Sequence, residues 1–295
     1  MKKNIASFST LPAETGPGTC ITGRKISTGD PAKKAILIVS FGTSHHDSRT
    51  RTIVALEKAI ARAYPEYEIH SAFTSQMIID KLKKRDGLSI NNVAAAMQRL
   101  VAGGVGTLVV QPTHIIPGLE FEKMVANIEP YKDYFASLSY GVPLLSATAD
   151  YRALVRAFKT QLAPTLAGNT ALLLMGHGSE HFANAAYAAL DYMFKEQNVK
   201  NVFVGAVENY PGLENVLPFL KAGGYTKVIL QPLMIVAGDH ACNDMAGAGE
   251  DSWKNILEAE GFIVECILKG LGEFAAIQDI YIEHLAAAIN QPANN

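Results

Sequence analysis

Two stretches of this 295-residue chain are written twice. AILIVSFGTSH, running from Ala35 to His45, lies on ALLLMGHGSEH, running from Ala171 to His181, an offset of 136 residues. LVAGGVGTLVVQP, from Leu100 to Pro112, lies on LKAGGYTKVILQP, from Leu220 to Pro232, an offset of 120. Self-similarity at such a period points to two units of like order rather than one large core. It puts their boundary within 145–170 and divides the chain into an N-terminal extension, 1–33, a first half, 34–150, and a second half, 151–295.

Each half repeats one grammar: an apolar run ends in a glycine turn, a helical stretch follows, then Gly-Gly, then another apolar run. Uninterrupted Val/Ile/Leu runs suit parallel strands covered on both faces. Strands are expected at 35–41, 67–73, 107–112 and 139–145, then at 171–176, 201–207, 227–232 and 262–268. Helical spacing marks 50–64, 90–102, 150–163 and 183–196, and Gly103-Gly104 and Gly223-Gly224 read as helix ends. The expected fold class is α/β: two duplicated βαβ domains, each a mainly parallel sheet flanked by helices, with a cleft between them.

Residues 1–33 read otherwise, rich in Ser, Thr, Gly and Pro without a period. Met1, Lys2 and Lys3 open like a signal peptide, but no apolar stretch of about 7–15 residues follows. A disordered tail with an exposed Cys20 is expected, and a cytoplasmic protein, with export left open by the extension itself. The 26 basic and 28 acidic residues nearly cancel, to a net charge of −2, so no broad basic field is offered to nucleic acid. Apolar runs of about 18 residues are absent, and no transmembrane segment is expected. Cys20, Cys242 and Cys266 are too widely and irregularly spaced for a disulfide framework or a CxxC zinc site. Oligomeric state is left open, a homo-oligomer included.

In open parallel sheets, ligands bind beyond the carboxyl ends of the strands. Three polar residues of the second half occupy such places: His177, Glu208 and His240. Each alone reads more readily as a hydrogen-bonded turn residue than as a ligand. Together, two imidazoles and a carboxylate from three strand ends suit a divalent first-row ion such as Fe, Co, Ni or Zn. Neutral imidazole also accepts protons near neutral pH. The duplication lays His177 on Phe41 and His240 on Glu120, so the first half sets an apolar ring and a carboxylate opposite the imidazoles. His114, after another strand, is a further cleft candidate. His45, His46 and His181 read as surface loop residues, and His284 as a solvated helix residue.

The segments Ser40-Phe41-Gly42-Thr43-Ser44, Ala72-Phe73-Thr74-Ser75, Gly176-His177-Gly178, Gly205-Ala206-Val207-Glu208 and the stretch GDHACNDMA from Gly238 to Ala246 carry a resemblance. Over roughly 34–290 the chain resembles the anaerobic-type sirohydrochlorin cobalt chelatases, of the class II chelatases. The resemblance implies that His177, Glu208 and His240 bind metal and that Glu120 takes part in catalysis. It implies insertion of Co²⁺ as a substrate metal into sirohydrochlorin, or its oxidised precorrin-2 form, in anaerobic cobalamin synthesis, with no organic cofactor. Fe²⁺ or Ni²⁺ is admitted by the same donors.

Insertion removes two pyrrole protons and strips water from the metal. His177 or His240 is expected to accept a proton as well as bind metal, with Glu120 opposite for proton removal or ring distortion. The eight carboxylates of the macrocycle call for cations at the rim, for which Arg49 and Arg51 are candidates. Three other readings stand beside this one: an iron chelatase making sirohaem, a tetrapyrrole or metal carrier without turnover, and a zinc hydrolase. The last lacks an HExxH helix.

Overall fold

A computed structural model describes residues 28–162, 166 and 168–291. The expected extension lies outside the described residues as far as residue 27, Cys20 included. The first half runs β1 (Asp30–Ser40), α1 (His46–Arg51), α2 (Ile53–Ala63), β2 (Glu68–Phe73), α3 (Gln76–Asp86), α4 (Val93–Ala102), β3 (Val105–Pro112), α5 (Leu119–Ile128) and β4 (Ser137–Tyr140). Then α6 (Thr148–Leu162) leads to β5 (Thr170–Gly176), α7 (Ala185–Glu196), β6 (Val202–Ala206), α8 (Leu213–Ala222), β7 (Lys227–Pro232), α9 (Trp253–Ala259), β8 (Ile263–Cys266) and α10 (Ala275–Ile289). All strands pair in parallel, in the orders β2-β1-β3-β4 and β6-β5-β7-β8. Val39 lies beside Pro112 in the first sheet, and Met175 beside Pro232 in the second. These are the residues the two sequence offsets equate, so the duplication is one of strand register.

The apolar runs form strands because both faces are covered. Along β1, Ile36 and Ile38 enter one core while Ala35, Leu37 and Val39 enter another. Along β5, Leu172 and Leu174 join the core of Ile36 and Ile38, which also takes in α2, α3, α6, α7 and α10. Ala171, Leu173 and Met175 turn outward toward α8 and α9. The sheets thus share a central helical layer, and each has its own outer one. At roughly 1.5–3 kcal/mol for each fully buried large aliphatic side chain, this double coverage fixes strand position.

Several boundaries differ from the sequence reading. β1 starts at Asp30 rather than Ala35, and the strand expected at 139–145 is the short β4, Ser137–Tyr140. Beyond it Gly141 and Pro143 interrupt, and Pro143 has no N–H to give a ladder. The helix expected over 50–64 breaks at Thr52, whose hydroxyl donates to the Ser48 carbonyl at 2.5 Å. The helices before both Gly-Gly pairs end there as expected. The last helix crosses back: the α10 hydroxyl of Tyr281 lies 3.0 and 3.1 Å from the carbonyl oxygens of Thr113 and His114, which share its proton. His284 on this helix is nearly buried, not solvated, held by Asp150 at 3.0 Å and the Val142 carbonyl at 3.2 Å. Among the described residues no helix is long and apolar enough to cross a membrane.

Candidate functional site

The carboxyl ends of both sheets face one cleft, and three strand-end residues meet there. One potential ligand atom from each of His177, Glu208 and His240 lies within 4.8 Å of the other two. Donors about 2.0–2.2 Å from one ion sit roughly 3–4 Å apart, so small side-chain rotations close this set on a cation. The two imidazole rings stand edge to face, centroids 4.5 Å apart, and Glu208 Oε2 is 3.7 Å from His177 Nδ1. Side-chain exposures of 41%, 55% and 37% for His177, Glu208 and His240 leave the site open to an arriving ion.

Local backbone explains the convergence. Gly178 has φ +90°, and a Cβ there would fall 1.6 Å from the Glu208 carbonyl oxygen. Only glycine allows the turn after β5 to lie against the turn after β6, where Glu208 N–H donates to the His177 carbonyl at 2.8 Å.

Hydrogen bonds also orient the rings. His177 Nδ1 contacts the Gly178 carbonyl at 2.9 Å, and His240 Nδ1 contacts Asp244 Oδ2 at 2.6 Å. Carbonyl and carboxylate oxygens accept, so each Nδ1 donates and each Nε2 keeps its lone pair. Asp244 escaped the sequence reading, although its position four residues after His240 places it on the same face of the turn.

The facing wall holds Phe41, exposed as an apolar platform residue should be, and Glu120 in the first turn of α5. Burial raises the Glu120 pKa. A 2.8 Å hydrogen bond from Lys123 Nζ, with the charge of Lys123 and the influence of His114, outweighs this and holds the carboxyl below its usual range. His114 lies within charge range of Glu120, and burial pushes its imidazole down to about 4. The Thr74 hydroxyl, directed at Glu120, adds to the lowering of that carboxyl, while neither ring nitrogen of His114 has a hydrogen-bond partner among the described residues.

Arg49 and Arg51 have other neighbours. Arg51 pairs with Glu273 at 3.7 Å, and Arg49 acts electrostatically on Glu57 and Asp86. Exposed cations at the cleft are instead Lys123 and Lys81, the latter 3.7 Å from Asp239.

Two histidines expected on the surface bind the halves together. His45 Nε2 donates to Asp239 Oδ1 at 2.8 Å, and His181 Nε2 to Glu122 Oε1 at 3.1 Å. His181 Nδ1 accepts from the Ala183 N–H, which fixes its tautomer. His45 and His181 are equivalent in the duplication, so each half sends one histidine across to the other's acid. The hydrogen bond from His45, with the positive charge of Lys81, holds Asp239 below the usual carboxylate range.

The family profile described as cobalt chelatase (CbiK) matches residues 34–290. A sirohydrochlorin cobaltochelatase of Salmonella typhimurium is 45% identical over 258 residues, covering 88% of this chain and 97% of that protein. Another, from Nitratidesulfovibrio vulgaris, is 32% identical, covering 88% of this chain and 91% of its own. Among solved structures, SirB from Bacillus subtilis with Fe³⁺ superposes with a TM-score of 0.60 at 14% identity, over 88% of this chain and 96% of SirB. That last likeness is one of fold.

Proposed function

Given that this chain belongs to the cobalt chelatase (CbiK) family, we propose that it inserts Co²⁺ into sirohydrochlorin with loss of two pyrrole protons. The observation that carries the reading is the convergence of His177, Glu208 and His240 opposite a wall of Phe41 and Glu120. The donor set suits Co²⁺: two neutral imidazoles present Nε2 lone pairs, and one carboxylate offsets charge. The ion is a substrate here, so exposed, loosely preformed ligands serve better than a closed structural cage.

In this reading the two halves, 34–150 and 151–295, act as opposed walls. The second presents the ion while Phe41 of the first supports the disc of the macrocycle. Lys81 and Lys123 answer the macrocycle's carboxylates at the rim, a role for which Arg49 and Arg51 are less well placed. Glu120, ionised, waits for a proton. The reaction belongs in the cytoplasm, where free thiols such as Cys242 beside the metal motif persist.

An anaerobic spectroscopic assay with sirohydrochlorin and Co²⁺, Fe²⁺ or Ni²⁺ in parallel tests the reading. Fastest catalysed insertion with Co²⁺ is expected. Turnover with Fe²⁺ alone would make the protein an iron chelatase, and stoichiometric binding without turnover would make it a carrier.

A further inference from the structure

Insertion asks an ion held on one half of the molecule to meet a disc resting on the other, so the gap between the halves matters as much as either wall. Each wall is built within its own half. The Gly178 carbonyl turns His177, Asp244 turns His240, and Phe41 stands on the turn after β1. None of these contacts sets how far the platform lies from the ligands.

Two reciprocal contacts do. His45, four residues after Phe41, reaches Asp239, the residue before His240, at 2.8 Å, and Lys81 adds its charge at 3.7 Å. His181, four residues after His177, reaches Glu122, two residues after Glu120, at 3.1 Å. The duplication equates Phe41 with His177 and Glu120 with His240, so both contacts join the same two places of the repeat, once in each direction. The turns also touch in equivalent ways. A Cβ on Gly238 would lie 3.4 Å from Thr43 Oγ1, and one on its counterpart Gly118 would lie 3.9 Å from Oγ of Ser179, the counterpart of Thr43. Stability is a poor reason for such pairs. The side chains of His45 and Asp239 are 36% and 58% exposed, and an exposed pair contributes little to folding. A buried core that takes in Ile36 and Ile38 with Leu172 and Leu174 already joins the halves.

Resting on the chelatase reading above, we infer that His45 and His181 are positioning residues for insertion, fixing the gap across which the ion passes to the macrocycle. His45 holds the turn of Phe41 to the turn of His240. His181 holds the turn of His177 to the first turn of α5, which carries Glu120. Platform, ligands and carboxylate are thereby set relative to one another by side chains that act through the turns they join rather than on either substrate. Misplacement by about 1 Å, even from a change remote from the chemistry, can cost about 100-fold in rate. The hydrogen bonds suit a fixed strut: His181 Nδ1 accepts from the Ala183 N–H, so Nε2 carries the proton given to Glu122.

The test uses the full-length protein, anaerobically, at saturating Co²⁺ and sirohydrochlorin. His45→Ala and Glu122→Ala each open one contact, the second without disturbing the nearly buried ring of His181. His45→Gln and Glu122→Gln can restore a hydrogen bond, since an amide N–H replaces the imidazole donor and an amide oxygen the carboxylate acceptor. Each alanine variant is expected to lose about 10- to 100-fold in kcat, and each glutamine variant to recover most of it. Affinity for Co²⁺, by calorimetry, and for sirohydrochlorin, by fluorescence quenching, should stay near wild type because each is set inside one half, and Tm should hardly move. Wild-type kcat in either alanine variant would overturn the inference. So would a loss of rate that follows weaker binding of either substrate or a lowered Tm, or one that glutamine leaves unrepaired. Absence of turnover in the wild-type protein would instead overturn the chelatase reading on which the inference rests.

Discussion

The two halves share strand order and register, yet spend equivalent positions differently. By pairing register, Ala206 of β6 answers Phe73 of β2, so Glu208 answers Ser75. In the first half Ser75 caps α3 at once, its hydroxyl accepting from the Ile78 N–H. In the second, Asn209–Gly212 intervene before α8, and Glu208 is left free to face the cleft. His177 likewise answers Phe41. One copy places a capping serine and an exposed ring at its strand ends, while the other leaves a carboxylate and an imidazole facing the cleft. A duplicated fold thereby yields two unlike walls without changing its scaffold.

The largest effect should come from taking the cleft-facing imidazoles away. His177→Ala and His240→Ala are each expected to bring Co²⁺ insertion to the uncatalysed level, with circular dichroism and Tm near wild type. At the equivalent place in the first half, Phe41→Ala should weaken sirohydrochlorin binding by about tenfold, from a lost aromatic face, and leave Co²⁺ binding intact. Calorimetry with the metal alone separates the two. If Phe41→Ala loses metal, the division of labour between the walls is wrong. Next in size is Asp244→Ala, which frees the His240 ring to turn. Loss of such an orienting partner typically costs about 10–100-fold in metal affinity, and Asp244→Asn should recover little of it because the amide cannot replace the carboxylate's charge.

The duplicated strands and the clustering of His177, Glu208 and His240 were legible in sequence for one physical reason. Strands buried on both faces must be continuous apolar runs, and the residues just past the end of a run must lie at a sheet edge. That logic located His177, Glu208 and His240 without any contact being known. It failed where a side chain's partner comes from the other half. His45 and His181 looked like loop histidines because Asp239 and Glu122, which take their protons, are distant in sequence. His284 looked solvated because nothing local shows that α10 returns to the first sheet. Arg49 and Arg51 met the demand for cations by type, but Glu57, Asp86 and Glu273 already occupy their surroundings.

A smaller contrast concerns pH. His114 titrates near its usual 6.5 in the unfolded chain and near 4 in the folded one. Between those values the unfolded chain binds a proton that the folded chain does not, so stability falls as pH drops through that window and is fully present above 6.5. The gap corresponds to about 3 kcal/mol at 1.36 kcal/mol per pH unit. His114→Gln removes the titration and should flatten the fall of Tm between about pH 6.5 and 4. Parallel curves for the two proteins would mean that His114 is as solvated as an ordinary histidine.

The smallest expected difference lies in two glutamines at the same strand position. Gln111 on β3 and Gln231 on β7 are both fully buried. Gln111 Nε2 donates to the Pro112 and Val142 carbonyls at 2.8 and 3.1 Å, whereas neither amide atom of Gln231 has a partner among the described residues. The neighbouring strand decides this. Gly141 and Ile267 are equivalent, each donating its N–H to the third strand, to Val110 and Leu230 at 2.8 Å. A Cβ at Gly141 would lie 2.0 Å from the Gln111 side-chain oxygen, so glycine there opens the path to Val142, and Ile267 carries a side chain where that path would run. Gln111→Met should therefore cost about 1–3 kcal/mol by leaving the buried Pro112 carbonyl without its side-chain donor, the Val142 carbonyl keeping His284, whereas Gln231→Met, of similar volume, should be neutral or slightly stabilising. Denaturant titration of the two variants reads the difference directly. Equal losses would mean that Gln231 is hydrogen-bonded as fully as Gln111, and that the copies differ only at the cleft.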